Sequence, residues 1–562
     1  MALSPSRATP GTQSPLRVLA VTGDMPSHPV AVAKLALCLA DAGHHVTIAA
    51  PEGEAFRIAE QAVAGSASPI SVVPAGQTST KVQLNVHGST DVNSWRQMVR
   101  QLLHPIPECV ADAADMTAPM FEPLLALMRV DPPPDVVVLS HYMWSVAGDA
   151  AEVAGIPAVS FVHLPYDPAL FLGEESAWRY PSMLPSFPHV AAYPLVPSAG
   201  LQGWRQLWWK WVDSKISAAA WARAARRQNA LRVSRGLPPT SKGGWAGFLA
   251  SHPAVVLGGP PFGPPAPVPP LAVVVGAVEP KSVEKLPADL AAWLQENSAG
   301  VMFISMGTGM TLNAEEAREL AGGLGRRIAG ETNQPKLLWA LRASEQERLQ
   351  GVLKEELGAP DEATTPGAIS FCGGRVRIES YVPQRAVLNS GQVSVFISHM
   401  GFGACTEGVS AGVRFVAYPG GFDQEFNASR AVEAGFAVRA PMGLAGIEGV
   451  IREALADMQL AEGARRARCQ LNAAGGSRAA VEAVERFAAL GREGAQALIL
   501  PFGGHGHSHQ QEGSTGAEAT KHVGASSFAA AAAAAAALGI ALVLSVLVSA
   551  SPLGALRSYH LL

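Results

Sequence analysis

The 562 residues exceed one domain's worth of chain, and with 48% hydrophobic against 16% charged residues they can bury a large core. The net charge of −4 comes with no basic run or stripe, so nothing points to nucleic-acid binding. The five cysteines (38, 109, 372, 405 and 469) are scattered without a Cys-x-x-Cys pair, which argues against a disulfide framework or a zinc site.

Residues 1–15 are rich in Ser, Pro and Thr and read as disordered, with no apolar h-region of a signal peptide. The first strand is expected over Leu16 to Thr22. A loop carrying His28 follows, then a helix from about Val30 to Ala42, which Gly43 stops, and a strand over His45 to Ala50. Alternation continues with a strand over Asp135 to Leu139, a helix over Ala147 to Ala154 and a strand over Ala158 to Val162. This is the pattern of a parallel sheet with helices on both faces. Asp149 reads as a surface residue of its helix.

Trp204, Trp208 and Trp211 fall on one helical face beside Arg205, Lys210 and Lys215. A membrane interface, an apolar ligand pocket and a packed core helix are equally open readings. The Pro/Gly-rich stretch Gly258 to Pro270 interrupts the alternation, and a second β/α series follows to about Leu490, starting from a strand over Leu271 to Val275. The expected division is therefore a disordered 1–15, a first Rossmann-like domain over 16–270 and a second over 271–490. A flexible linker follows over 491–527; it contains the His505 to His509 run, which reads as linker sequence. Residues 528–550 hold no charge over 23 positions, long enough for a transmembrane helix, with a buried or low-complexity helix as the alternative. The tail is 551–562.

The segment Phe396 to Arg430 reads as a strand, a Gly-rich turn, a helix from about Ala404 and a second strand over Arg414 to Tyr418. A helix N-terminus offers unpaired N–H groups, and glycines at 401 and 403 let an anion approach the backbone. His399 adds a side-chain donor, Glu407 lies on the helix, and Asp423-Gln424 follows the next strand. Phosphate donors, then a carboxylate, then an acid–amide pair suit a nucleotide-sugar.

That order, with Tyr381-Val382-Pro383-Gln384 before it, resembles the signature of the UDP-dependent glycosyltransferases. Two positions differ. Ala404 stands where the family usually places a hydroxyl, and Tyr381 stands where it usually places a tryptophan. The resemblance implies the GT-B fold, an α/β architecture of two doubly wound Rossmann-like domains facing a cleft. Membrane-bound members of that family also carry a C-terminal helix after the catalytic domains, as the transmembrane reading of 528–550 expects here. On the donor side the resemblance implies that Tyr381, Val382 and Gln384 flank the base and that Glu407 takes the ribose. Thr308, His399, Gly401, Gly403, Ala404 and Cys405 would face the diphosphate, and Asp423 and Gln424 the sugar hydroxyls. It makes His28 the candidate base, a role suited to an imidazole titrating near neutral pH. The family's acidic partner for that histidine falls here on His141, so His141, Ser140 or Asp24 is left to substitute, or His28 works alone.

The expected function is an inverting, metal-independent transfer of a hexose from a UDP-sugar to a hydroxyl of a small apolar acceptor such as a phenol, sterol or lipid. No cofactor is called for, because the UDP-sugar is a substrate. The alternatives are a weak or inactive nucleotide-sugar-binding homologue and another UDP-sugar enzyme such as an epimerase. A single-pass anchor through 528–550 would leave the catalytic domain facing the cytosol, with a lumenal enzyme as the alternative.

Overall fold

The computed structural model describes residues 14–25, 27–79, 88–89, 114–165, 225–239, 252–263, 268, 270–281, 284–296, 299–307, 310–330, 335–361, 368–420 and 423–498. All of them lie in one unit, Met1–Leu500. The Trp204 to Trp211 cluster, Thr308, the His505 to His509 run and the expected spanning segment 528–550 fall outside the described residues. Among the described residues no helix is long and apolar enough to cross a membrane.

The first domain supplies β1 (Arg17–Val21), β2 (His45–Ala50), β3 (Ile70–Pro74), the two-residue β4 (Gly88–Ser89), β5 (Val136–Ser140), β6 (Ala158–Val162), β7 (Ala254–Leu257) and β8 (Ala272–Gly276). Seven of these form a parallel sheet in the order β3-β2-β1-β5-β6-β7-β8. The second domain supplies β9 (Val301–Ser305), β10 (Met310–Thr311), β11 (Lys336–Ala340), β12 (Ala368–Phe371), β13 (Val376–Glu379), β14 (Val393–Ser398), β15 (Arg414–Ala417) and β16 (Ala437–Arg439). Its sheet runs β12-β13-β11-β9-β14-β15-β16, parallel except for the β12–β13 edge pair. The remaining pair, β4 with β10, ties the two domains together. Strands such as Val136–Ser140 and Val301–Ser305 are buried along their whole length, as expected of parallel strands covered on both faces.

Four local features differ from the sequence reading. The strand expected to open the second domain is β8, which pairs with β7 and completes the first sheet. An apolar strand does not itself say which neighbour it pairs with. The chain then returns at its end. In the Gly476–Ala497 helix, Ser477 Oγ accepts from the Glu279 N–H at 2.8 Å and Glu485 meets His44 Nε2 at 3.0 Å, which places the helix against the first domain. His28 lies not in a loop but in the first turn of the Ser27–Asp41 helix. Pro29 is tolerated there because first-turn N–H groups have no intrahelical partner. Asp149 is buried rather than on the surface, paired with Arg232 and, at 2.7 Å, with Arg235.

The carboxyl ends of the two sheets meet. Phe402, just past β14, stacks edge-on to Phe262 at 5.3 Å. A Cβ built on Gly258, just past β7, would lie 2.8 Å from the Phe402 ring. Gly258 has φ 96°, so the absence of a side chain serves both its backbone and the close approach. Beneath this contact Phe303, Phe396, Phe415 and Phe436 form a run of ring contacts at 5.0–5.9 Å. Each such pair adds about 0.5–1.5 kcal/mol beyond its buried area.

Candidate active site between the two sheets

In open α/β sheets, ligands bind at the carboxyl ends of strands where the winding direction reverses. In the first sheet the chain leaves β1 toward β2 on one side and later enters β5 on the other. His28 follows β1, Ser140 ends β5, His141 comes next and His163 follows β6, so three adjacent strands converge on one cluster.

His28 Nδ1 lies 2.9 Å from Ser140 Oγ, and the same oxygen lies 3.1 Å from His163 Nε2. The His28 ring centroid is 4.1 Å from that of His163, 4.8 Å from Tyr142 and 5.3 Å from His141. The residue bonded to His28 is therefore Ser140. His141 flanks the ring, its centroid 4.4 Å from that of His163. Asp24 accepts a hydrogen bond from Thr78 Oγ1 at 3.0 Å. Burial, then the neighbouring imidazoles, holds the His28 pKa well below 6.5. His141 is lowered in the same way, and burial lowers His163 to about 3. One ring nitrogen from each of the three histidines lies within 4.8 Å of the other two, a donor set able to hold a metal ion. The sequence reading found no metal cluster, because residues 28, 141 and 163 become neighbours only through strand order.

The second sheet has the same switch. The chain leaves β9 toward β11 and returns on the other side at β14. The turns after these two strands meet. A Cβ on Gly307 would lie 2.5 Å from His399 Cε1, and one on Gly401 would lie 2.4 Å from His399 Nε2. His399 is thus clasped between two glycine turns, and burial lowers its pKa to about 4. The helix begins earlier than expected, at Phe402, with Gly401 as its cap, so Gly403, Ala404 and Cys405 form its first turn.

Met400 is held at φ 64°, an uncommon conformation for a residue with a side chain. Two residues that the sequence reading passed over support it. Ser398 Oγ accepts from the Met400 N–H at 3.1 Å, and Asn427 Nδ2 donates to the Met400 carbonyl at 2.9 Å. Asn427 also donates to Asp423 Oδ2 at 2.8 Å, which links the turn to the acid–amide pair. Burial raises Asp423 to about 6, while Gln424 Oε1 accepts from the Gly420 N–H at 2.8 Å.

Glu407 is met from both domains. Lys34, two turns along the helix that carries His28, reaches it at 2.5 Å, and Gln384 Nε2 donates to its other oxygen at 2.8 Å. Burial opposes both charges, but the Lys34 ammonium outweighs it and keeps the carboxyl below its ordinary range. Glu407 and Glu279 in turn hold Lys34 above its own. Val382 is buried, whereas Tyr381 is exposed and donates to Glu284 at 2.6 Å.

Four buried histidines with lowered pKa values give stability a defined pH dependence. The unfolded chain takes up protons near pH 6.5 while the folded sites stay neutral, so stability is lost as pH falls through that value. Asp423, raised to about 6, opposes this, as do Asp24, Asp149 and Glu279, which burial also raises. The urea midpoint is expected to be lower near about pH 5 than near about pH 8. An unchanged midpoint would contradict the burial of neutral imidazoles.

The two facing doubly wound sheets define the class of fold. The chain superposes on the glycosyltransferase VinC in complex with DTDP with a TM-score of 0.55 at 18% identity, covering 85% of this chain and 100% of that one. Residues 259–461 match the family model described as UDP-glucoronosyl and UDP-glucosyl transferase. The chain is 29% identical over 191 residues to the UDP-glycosyltransferase CGT of Oryza sativa subsp. japonica, a match covering 31% of this chain and 37% of that protein. It is 32% identical over 174 residues to the anthocyanidin 3-O-glucosyltransferase of Zea mays, covering 30% and 33% respectively. The matched segment thus spans about a third of these relatives. The likeness to UDP-glycosyltransferases lies in residues 259–461, most of them in the second domain.

Proposed function

We propose that this protein moves a hexose from a UDP-sugar to a hydroxyl of a small apolar acceptor, with inversion and without a metal ion. The observation that carries the reading is the pairing of two switch points: the glycine-clasped His399 turn in the family-matched domain, and buried His28 in the opposite domain. His28 takes the proton of the acceptor hydroxyl as that oxygen bonds to the anomeric carbon. The bond from that carbon to the diphosphate breaks, and its electron pair leaves with UDP. The unpaired N–H groups at the start of the Phe402–Ala411 helix, with His399, offset the charge on the leaving group. Gly403 and Ala404 take part through their main chain, which makes the missing hydroxyl at 404 tolerable, whereas the Cys405 N–H already donates to the Gly401 carbonyl at 3.0 Å. A carboxylate has about four acceptor sites, so Glu407 can receive ribose hydroxyls beside Lys34 and Gln384. Asp423 and Gln424 take the sugar hydroxyls, and Tyr381 offers an exposed ring to the base.

The test is UDP release by the full chain from UDP-glucose, UDP-galactose and UDP-glucuronate in the presence of phenols, sterols or lipids. Acceptor-dependent release names the donor. No release and no UDP binding would sink the reading, and binding without turnover would leave a nucleotide-sugar-binding homologue.

Gly307→Ala probes the donor side alone. Gly307 has φ 66°, which costs a side-chain residue about 1–2 kcal/mol, and the new Cβ would press on His399. UDP affinity measured by calorimetry is expected to fall about tenfold or more. Unchanged affinity would place the diphosphate elsewhere.

A further inference from the structure

Ser140 lies between two imidazole nitrogens, 2.9 Å from His28 Nδ1 and 3.1 Å from His163 Nε2. A hydroxyl has one proton, so it donates to one ring and accepts from the other. The role of His28 decides which. Ser140 occupies its Nδ1, so only Nε2 is left to take the proton of an acceptor, and in the neutral ring the proton then sits on Nδ1. His28 Nδ1–H therefore donates to Ser140 Oγ, and the Ser140 O–H donates to His163 Nε2, whose ring carries its own proton on Nδ1.

We propose that Ser140 and His163 are positioning residues that hold His28 in the Nδ1–H tautomer, leaving Nε2 free to take the acceptor proton. This rests on the reading of His28 as base. The chain of neutral groups does what a carboxylate would do for orientation, without supplying a counter-charge.

The ring nitrogens of the full chain can be read directly by ¹⁵N NMR with labelled histidine, with His28 assigned by comparison with His28→Gln. The native protein is expected to show His28 protonated at Nδ1. Ser140→Ala and His163→Ala should shift it toward Nε2–H or a mixture. His163→Gln, whose amide oxygen can still accept from Ser140, should restore it. In the transfer assay His163→Ala should lower kcat about tenfold or more with the donor KM unchanged, and His163→Gln should recover most of it. Should His163→Ala fail to fold, Ser140→Ala and His163→Gln still decide the matter. A native Nε2–H tautomer, or a tautomer indifferent to both Ser140→Ala and His163→Ala, would overturn the proposal. The NMR result needs no substrate. A failed base reading therefore appears as transfer that survives His28→Gln, whereas a failed relay appears as the wrong tautomer.

Discussion

Alanine in place of His28 is expected to lower kcat by about 10²–10⁴-fold, the usual contribution of a positioned general base, with little change in UDP affinity. The two effects separate because His28 belongs to the first domain, whereas the clasped turn around His399 belongs to the second. His28 is 4% exposed, so the substitution also leaves a cavity and removes the partner of Ser140. His28→Gln keeps much of the volume, and it should lose activity to a similar degree if proton transfer is the cause. The pH profile carries the same information. Since burial and the neighbouring imidazoles hold His28 well below 6.5, the acid limb of kcat/KM is expected below that value. Retained activity in both variants, or an acid limb above 6.5, would remove His28 from the chemistry.

Asp149→Ala is expected to cost about 3–5 kcal/mol of stability, the range for breaking a buried ion pair by removing one partner. Asp149 is 2% exposed and bonds Arg235 at 2.7 Å as well as Arg232. Arg232 also reaches Glu152 at 2.9 Å and donates to the Pro238 carbonyl at 3.0 Å, so it keeps partners. Among the described residues the Arg235 guanidinium keeps the Ser145 carbonyl and the face of the Phe121 ring, 4.5 Å away. That carbonyl lies in the π-helical turn Trp144–Gly148, which follows His141. The loss should therefore reach the site, lowering transfer activity as well as the urea midpoint. Asp149→Asn, which retains hydrogen bonding without the charge, should fall between wild type and alanine. Full stability in the alanine variant would mean that the arginines are satisfied without the carboxylate.

The donor half of the site was largely legible in the residue order, because its parts are local. A strand, a glycine turn, a helix and a second strand over Phe396 to Arg430 put His399, Glu407 and Asp423-Gln424 within one stretch, and the structure folds that stretch as a unit. Ser398 and Asn427 escaped notice because each acts on the main chain of Met400, whose left-handed conformation has no marker in an unbranched side chain. The other half was legible only in pieces. His28 could be seen after the first strand, and the absence of an acid near residue 141 could be seen too, but not what replaces it.

What the sequence determined by itself was local: the alternation of strands and helices, the glycine turn at 401 and 403, and the positions of His28 after the first strand and His399 at a strand end. Periodicity and turn chemistry encode these within a few residues. Tertiary structure decided the rest. The order β1-β5-β6 brought His163 to Ser140 and His28, across 135 residues of sequence. The meeting of the domains set Lys34 on Glu407. Pairing with β7 assigned β8 to the first sheet, and the fold of residues 225–239 around Asp149 turned an expected surface acid into a buried one. Each of these depends on which apolar surfaces and strand edges find one another at long range, and a single strand's pattern of residues does not specify its neighbour.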